Sequence, residues 1–375
     1  MEYAIFGTKK EAKYLFEEIR DNQLGTVVAF LDNSVDRQGE FIDGISIISL
    51  EKFINLYGVE SVMVLVAARG SYSRLSIINQ LKTNNVENIG VFKFSYCDYK
   101  QKICDVREAI IDISSIDKPF MPYLEYNVTD SCNLKCKGCT HFSNLLSDNE
   151  FADCLEFKSD IEKLSEKVYI GQLRLLGGEP LLHPDLSEFV SVARNCLPNS
   201  DIFIVSNGLL IPKVDERVLL SLRENNVGFH ISRYYPTDKL CDVIEEKLSS
   251  LGVNYYMESD VIKQFGRCLS MKGNSDVNLS QQACISLGCR FMKSGKVYKC
   301  PFDGLISLFT DYYNIENVPK SCGIDVYDDS TDWEYELNKL FKEPIDMCKY
   351  CAETCEMYDW KVNVNPSIED WIVFE

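Results

Sequence analysis

Short apolar runs alternate with segments of helical periodicity along the first 95 residues of the chain. The apolar runs predict strands at residues 3–6, 27–31, 45–48, 61–67 and 89–94. The periodic segments between them predict helices at residues 10–20, 50–56 and 72–83. Because strands and helices alternate, this part predicts a parallel sheet with crossover helices, which is a doubly wound α/β domain.

A second series of the same kind follows residues 96–120, whose mixed charge and Lys118-Pro119 pair predict a linker. Its apolar runs predict strands at residues 121–129, 172–176, 201–206, 228–232 and 253–257. Its periodic segments predict helices at residues 157–167, 186–196, 215–225 and 239–251. Ligands of parallel α/β sheets bind at the carboxyl ends of the strands, so polar motifs at these ends are candidate binding residues.

Cys132, Cys136 and Cys139 form a C-x3-C-x2-C array directly after the strand predicted at residues 121–129. Thiolates are the ligands of iron–sulfur clusters, and three of them can hold three irons of a cubane cluster. The fourth iron is then open to a substrate or cofactor. The alternative is half of a zinc site, but zinc usually takes a paired C-x2-C or a Cys/His quartet. The two-residue spacing between Cys139 and His141 is tight for two ligands of one tetrahedral zinc. We therefore interpret the array as an iron–sulfur site.

Together with Gly177-Gly178-Glu179-Pro180 some forty residues downstream, the array resembles the radical S-adenosylmethionine (radical SAM) superfamily. The resemblance implies a partial (β/α) barrel and a 4Fe-4S cluster whose open iron binds S-adenosylmethionine. It also implies reductive cleavage of that cofactor to a 5′-deoxyadenosyl radical, which abstracts hydrogen from a substrate. Gly177, Gly178 and Glu179 would bind the cofactor's amino group. The residue before the third cysteine is often bulky in this superfamily, but here it is Gly138, so that side chain cannot contact the adenine.

Polar residues also end the next two predicted strands. Ser206 and Asn207 follow one strand, where short polar side chains suit ribose hydroxyls or the methionine carboxylate. Ser232 and Arg233 follow the other, where a guanidinium could pair with that carboxylate. The alternative for these residues is ordinary loop capping by Ser and Asn.

The C-terminal region contains a second group of cysteines. Cys289 and Cys300 flank a segment that predicts a hairpin turning at Lys293-Ser294-Gly295, which would place the two cysteines nearly opposite each other. Cys348 and Cys351, in a C-x2-C unit, supply two more thiolates. Four cysteines in this order could complete a second cluster that has no open iron.

The Gly295-x4-Cys300-Pro301 unit and the later C-x2-C resemble the auxiliary-cluster domains called SPASM and twitch, in the shorter form with a single cluster. Cys284 and Cys355 remain alternatives to one of the assigned ligands, and a four-thiolate zinc site is the alternative metal centre. The other cysteines are expected to be small core hydrophobes. They are Cys97, Cys104, Cys154, Cys196, Cys241, Cys268 and Cys322.

The N-terminal domain has partial signs of a nucleotide site. Gly7 ends its first predicted strand and Asp32-Asn33 ends the second, where a nucleotide's phosphate and ribose would lie. The second and third glycines of the dinucleotide fingerprint are missing. The strand–helix order and the Phe30–Asn33 segment ahead of Asp43-Gly44-Ile45 resemble small Rossmann-like domains of sugar-modifying and polysaccharide-biosynthesis proteins. This implies a nucleotide or nucleotide-sugar site, with a domain that only packs or docks as the alternative.

Composition limits the number of domains, the classes of partner and the cellular compartment expected for this chain. Its 375 residues predict two or three domains, and its formal charge of −18 argues against a nucleic-acid partner. No apolar run approaches the roughly twenty residues that cross a bilayer, so we expect no membrane partner. The first residues show no export signal, and sixteen cysteines in such a chain indicate reduced thiols and a cytoplasmic protein.

These patterns predict a domain order. We expect a Rossmann-like domain at residues 1–95, a linker at 96–120, a radical SAM partial barrel at 121–260 and an auxiliary-cluster domain at 261–375. The predicted function is oxidation or epimerisation of a sugar, nucleotide-sugar or related small metabolite by an oxidoreductase or isomerase. A reducing partner such as flavodoxin or ferredoxin would supply the electron. The alternatives are a SPASM-type peptide-modifying maturase and a non-catalytic iron–sulfur electron carrier or scaffold.

Overall fold

The computed structural model describes residues 1–93, 95–98, 105–146, 150–316, 318–319 and 321–373, with the side chain of Cys97 left out. The chain splits into two compact units, Met1–Pro122 and Tyr123–Glu375. Phe94, the last residue of a predicted strand, and Cys104 lie outside the described residues, as does the predicted core position of the Cys97 side chain.

The first unit alternates strands and helices. Its strands are β1 (Glu2–Phe6), β2 (Thr26–Leu31), β3 (Phe41–Ile42), β4 (Ile45–Ile48), β5 (Met63–Val66), β6 (Ile89–Phe92), β7 (Ile110–Asp112) and β8 (Phe120–Met121). Its α-helices are α1 (Lys10–Asp21), α2 (Leu50–Tyr57), α3 (Ser71–Thr83) and α4 (Ser95–Asp98).

Within the described residues, the main sheet of this unit has the order β3-β4-β2-β1-β5-β6-β7. Its central strands are parallel, while β3 and β7 pair antiparallel at the two edges. The predicted doubly wound α/β pattern is confirmed. The segment predicted as a linker contributes β7 to this sheet, and its Val106 and Ala109 are buried in the core of the unit.

The second unit contains the longer sheet and the cysteine-rich region. Its strands are β9 (Leu124–Thr129), β10 (Tyr169–Ile170), β11 (Gln172–Gly177), β12 (Asp201–Ser206), β13 (Gly228–Ile231), β14 (Tyr255–Met257), β15 (Gln264–Leu269), β16 (Phe291–Lys293), β17 (Lys296–Tyr298), β18 (Ile324–Asp325) and β19 (Cys351–Asp359). Its α-helices are α5 (Cys154–Lys167), α6 (Leu186–Cys196), α7 (Glu216–Glu224), α8 (Tyr235–Asp238), α9 (Cys241–Ser250), α10 (Val277–Gln282), α11 (Pro301–Tyr313) and α12 (Trp333–Lys342).

The main sheet of the second unit has the order β14-β13-β12-β11-β9-β16-β17-β18 over the described residues. The strands from β14 to β9 run parallel, and β16 continues this direction next to β9. Because β14 and β18 are the two ends of this order, the barrel remains open. The predicted hairpin is present as β16 and β17, with Ser294 and Gly295 at positive φ in its turn. The ribbon of β15 and β19 was not predicted.

Helix α5 shows how the local sequence fixes this sheet. The Asp153 carboxylate caps the helix by accepting from two backbone amides at 2.9 Å each. Phe157 packs against the ring of Tyr126 on β9, with the ring centroids 4.6 Å apart. Asp160, one turn further along, is buried and accepts from the Tyr126 hydroxyl at 3.2 Å, the Tyr327 hydroxyl at 2.7 Å and the Gly295 amide at 3.0 Å. This carboxylate therefore ties the hairpin turn to the helix layer.

Over the described residues, the helices are too short or too polar to span a lipid bilayer.

Replacement of Asp160 with Ala should destabilise the second unit, because three donors would lose a buried acceptor. We expect a loss of about 2–4 kcal/mol in the free energy of unfolding, measured as a lower thermal midpoint. Glu166→Ala on the exposed face of the same helix is the matched control and should stay within about 0.5 kcal/mol. Equal midpoints for the two variants would contradict this role of Asp160.

Candidate functional site

A cavity of about 460 Å³ opens at the carboxyl ends of β9, β11, β12 and β13. The sequence-predicted residues that line it are Cys132, Cys136, Cys139, Gly177, Gly178, Ser206, Asn207 and Ser232. Four strand ends therefore bring the cysteine array and most of the predicted cofactor residues to one cavity, at the edge where parallel α/β sheets bind ligands.

Nearby donors hold the cluster loop in place. The backbone amide two residues after Cys132 donates to its Sγ at 3.4 Å, and the Trp360 indole donates to Cys136 Sγ at 3.3 Å. The Trp371 indole donates to the carbonyl oxygen of Cys139 at 2.8 Å. Hydrogen bonds of this kind orient metal-binding thiolates and tune the metal that they hold.

Burial makes the thiolates of this loop costly without a bound metal. It raises the pKa of Cys132 to about 12 and also raises the pKa of Cys136 well above its usual range. Burial acts in the same direction on Cys139, but the neighbouring His141 imidazole lowers the pKa of that thiol below its usual value. Bound iron would supply the positive charge that removes the remaining protons.

Cys132, Cys136 and Cys139 supply three thiolates beside this cavity. Thiolates are the ligands of iron–sulfur clusters, so this donor set fits three irons of a cubane cluster.

The two glycines of the cofactor motif allow two backbones to meet. Gly177 has φ +146°, and a Cβ there would lie 2.0 Å from the carbonyl oxygen of Thr129. A Cβ on Gly178 would lie 2.0 Å from the carbonyl oxygen of Ser131. Backbone hydrogen bonds of 2.7 and 2.8 Å join the two segments at these points. The glycines thus hold the motif against the loop that begins at Cys132.

Glu179 lies behind the cavity wall and is 0% exposed. Its Oε1 accepts from the Ser206 hydroxyl at 2.8 Å and from the Leu181 amide at 3.1 Å, and its Oε2 accepts from the Asn207 amide at 2.8 Å. Burial raises the pKa of Glu179 to about 7. The carboxylate therefore positions the Ser206–Asn207 turn, and its part in binding an ammonium group stays a prediction.

Arg233 is separated from the other predicted cofactor residues. Its guanidinium donates to the Asp238 carboxylate at 2.7 Å and to the Ser259 carbonyl at 2.8 Å. The chain turns into α8 directly after Ser232, and this turn directs the Arg233 side chain towards that helix. Ser232 lines the cavity, whereas the guanidinium is held by these partners outside it.

A second cavity, in the C-terminal region, is lined by six cysteines. These are Cys268, Cys284, Cys300, Cys348, Cys351 and Cys355. Cys268 and Cys355 lie on the paired strands β15 and β19 with their Sγ atoms 2.8 Å apart. Two residues further along the same ribbon, Gly266 and Met357 face each other and line the first cavity. The ribbon therefore forms part of the wall of both cavities.

The structure corrects the assignment of Cys289. Pairing of the predicted hairpin ends at Phe291 and Tyr298, and the Cys289 amide turns back to the Ser286 carbonyl at 3.0 Å. The Cys289 thiol lies next to Glu125; burial raises its pKa, and the negative charge of that carboxylate raises it further. Cys289 is thus outside the cavity of the other cysteines. Cys284, left open as an alternative, lies on that cavity.

Two buried cations lie next to the second cavity. Lys299 lines it and donates to the carbonyl oxygens of Leu340 and Glu343 at 2.7 Å each. Arg290 is fully buried, 4.0 Å above the ring of Phe341. Burial lowers the pKa of Lys299 to about 8 and that of Arg290 to about 10. Their charge can offset the negative charge of a four-thiolate cluster.

A separate cavity of about 330 Å³ lies in the first unit, at the carboxyl ends of β1, β2 and β5. Gly7 and Asp32 line this cavity. The sequence predicts these residues at the ends of the first two strands, where a nucleotide would lie. The Thr8 hydroxyl donates to Asp32, and the Arg69 guanidinium pairs with Glu11 at 2.7 Å. The cavity therefore presents both acidic and basic side chains.

Sequence reasoning missed two charged residues that line the first cavity, Glu125 and Arg174. Each is flanked by apolar residues on its strand, β9 or β11. Charged residues are rarely buried unless they are paired or functional, so this pattern was the available signal.

Comparison with known proteins agrees with the geometry of the first cavity. Residues 126–250 match the Radical SAM superfamily. The GTP 3',8-cyclase of Alkaliphilus oremlandii is 34% identical over 95 residues, which cover 25% of this chain and 30% of that protein. The GTP 3',8-cyclase of Campylobacter jejuni subsp. doylei is 26% identical over 252 residues, covering 61% of this chain and 75% of that protein. The chain thus spans about 30% of the length of the first of these relatives.

Among solved structures, BtrN in complex with AdoMet and 2-DOIA is 21% identical and covers 63% of this chain and 94% of its own, with a TM-score of 0.38. Native anSMEcpe with bound AdoMet is 18% identical and covers 37% of this chain and 44% of its own, with a TM-score of 0.30. The sequence match, which includes the cysteine array, shows that residues 126–250 of this chain form a radical SAM domain.

Proposed function

We propose that this radical SAM enzyme abstracts hydrogen from a hydroxylated small metabolite, such as a sugar or nucleotide-sugar, in a dehydrogenation or epimerisation. The observation that carries the proposal is the single cavity shared by the cysteine array and by Gly177, Gly178, Ser206 and Asn207. An electron carrier or scaffold would not need these cofactor residues beside its cluster.

Different residues of the first cavity would bind the cluster and S-adenosylmethionine. Cys132, Cys136 and Cys139 would bind three irons of the 4Fe-4S cluster. The bound cluster and S-adenosylmethionine supply the 5′-deoxyadenosyl radical chemistry. Glu179 fixes the turn that presents Asn207, and its Oε2 retains a lone pair for an ammonium group.

We propose that the second cavity holds an auxiliary 4Fe-4S cluster on Cys284, Cys300, Cys348 and Cys351. Support comes from their common cavity and from the two buried cations beside it. Such a cluster could accept an electron from the product or orient the substrate. The C-terminal part of the second unit would then be the auxiliary-cluster domain expected from the sequence, and residues 121–260 the partial barrel.

We also propose that the first unit binds a nucleotide-type ligand at the cavity that contains Gly7 and Asp32. The support is its position at the carboxyl ends of adjacent parallel strands. This ligand could be the nucleotide part of a nucleotide-sugar.

GTP is a second candidate substrate. Its support is the name of the curated relatives, GTP 3',8-cyclase. In that case the reaction would be a cyclisation in place of a dehydrogenation or epimerisation.

Reconstituted protein with S-adenosylmethionine and dithionite should release 5′-deoxyadenosine. Cys136→Ala should reduce this release at least about a hundredfold, because the cluster loses one of three ligands. Cys196→Ala, on α6, is the matched control and should retain wild-type release. Chromatographic quantification of 5′-deoxyadenosine decides this, and equal release from both variants would disprove the catalytic assignment.

Iron analysis can test the corrected auxiliary ligands. The wild-type protein should contain about eight irons per chain, and Cys284→Ala should retain about four. Cys289→Ala should keep about eight, because that thiol faces Glu125. The reverse result for the two variants would restore the assignment made from the sequence, and about four irons with one zinc in the wild type would support the zinc alternative.

Binding of S-adenosylmethionine should depend on pH through Glu179. Because the pKa of this buried group is about 7, the carboxylate that accepts from an ammonium is lost as the pH falls below that value. We expect the Kd to rise by up to about tenfold per pH unit as the pH falls below 7. Equilibrium dialysis of cluster-loaded protein measures this. Glu179→Gln should bind weakly at every pH, and an identical pH profile in that variant would exclude Glu179 as the titrating group.

A further inference from the structure

The interior of the open barrel contains charged side chains that the cluster and cofactor assignments leave unused. Glu125 on β9 and Arg174 on β11 are partners in the register of the two strands, and both line the first cavity. Side chains at paired positions of parallel strands point to the same face, about 4.8 Å apart along the sheet. Glu125 and Arg174 therefore lie side by side facing the cavity.

One carboxylate oxygen of Glu125 is engaged and the other is free to bind a ligand. The Tyr123 hydroxyl donates to Oε1. Glu125 is only 6% exposed, and within the described part of the chain its Oε2 is buried without a hydrogen-bond partner. The neighbouring Cys289 thiol is only a weak donor. A buried acceptor without a partner is energetically unfavourable, and a donor on a bound molecule would remove that cost.

Arg174 is held in place, and its Nε–H is without a partner in the described part of the chain. Its Nη1 lies 3.0 Å from His230 Nδ1, and His230 Nε2 lies 2.8 Å from the Glu258 carboxylate. The guanidinium also stacks 5.1 Å above the centre of the Tyr123 ring. Among the residues described, its Nε finds no hydrogen-bond acceptor, and it is buried. A fixed guanidinium with a free N–H is prepared to bind an oxygen atom.

We propose that Glu125 and Arg174 form a substrate-recognition pair that binds a vicinal diol or amino alcohol of a sugar-like ring. One group of the substrate would donate to Glu125 Oε2, and the adjacent oxygen would accept from Arg174 Nε. This inference rests on the proposed function and deepens it by naming the substrate class.

The side-by-side arrangement of the two protein groups favours a polyol over a peptide. Neighbouring hydroxyls of a ring present a donor and an acceptor next to each other, and each hydroxyl can serve as either. In a trans peptide group the N–H and the C=O point in opposite directions within the peptide plane, so one amide cannot satisfy both protein atoms.

Deuterium transfer from defined probes tests this pair in the full-length protein with both clusters loaded. The probes are uniformly deuterated glucose, glucosamine and UDP-glucose, with a tryptic digest of deuterated protein as the contrasting class. Mass spectrometry of the released 5′-deoxyadenosine gives the fraction that carries deuterium. We expect label from at least one sugar probe in the wild type.

The variants are Glu125→Ala, Glu125→Gln and Arg174→Lys. We expect the deuterated fraction to fall at least about tenfold in Glu125→Ala and Arg174→Lys and less in Glu125→Gln, which retains an acceptor oxygen. Glu166→Gln, at an exposed position on α5, should match the wild type. Thermal midpoints show that each variant is folded.

Each other outcome overturns the inference. Label from the peptide digest alone, or from none of the sugar probes, would exclude the proposed substrate class. An unchanged deuterated fraction in Glu125→Ala would exclude the recognition role. Loss of all 5′-deoxyadenosine in folded Glu125→Gln would make the pair part of the cofactor site. Absence of 5′-deoxyadenosine in the wild type would instead count against the proposed function itself.

Discussion

The contact between two backbone segments at Gly177 and Gly178 determines where the functional groups of the second unit lie. Without side chains, these residues let β11 pass against the end of β9, and any Cβ would meet a carbonyl oxygen at 2.0 Å. The next residue, Glu179, extends the same arrangement to β12 through the Ser206 hydroxyl and the Asn207 amide. One close approach and one buried carboxylate thus join three strand ends around the cysteine loop.

The strands and helices of both units could be predicted because their signals are local. Residues 201–206 form β12, a strand of a parallel sheet that is covered on both faces, and parallel strands of this kind are mostly apolar. The periodic segment before it forms the covering helix α6. The cysteine array and the Gly-Gly-Glu motif were equally readable, since each lies at the end of a predicted strand. The sequence did not predict which partner a side chain contacts outside its own helix, strand or loop.

Cys289 and Arg233 show this limit. The hairpin register, extended by counting, placed Cys289 opposite Cys300, but strand pairing ends at Phe291 and Tyr298, and the Arg290 guanidinium donates to the Lys299 carbonyl. Arg233 meets Asp238 because a short helix starts just after it. In both cases one side chain makes a contact that the periodic pattern of the sequence does not encode. The pattern alone therefore could not predict where these residues lie.

The ribbon of β15 and β19 has a geometric consequence for the two cavities. Gly266 and Met357 border the first, and Cys268 and Cys355 border the second, so the two borders are two residues apart on the same strands. Two residues of extended chain span about 7 Å. Ile285 faces both spaces as well. A Cβ at Gly266 would lie 3.4 Å from Cys268 Sγ, so both residues face the same side of the ribbon. A displacement of the ribbon perpendicular to that side would therefore change the volumes available to substrate and to the thiol-lined chamber together.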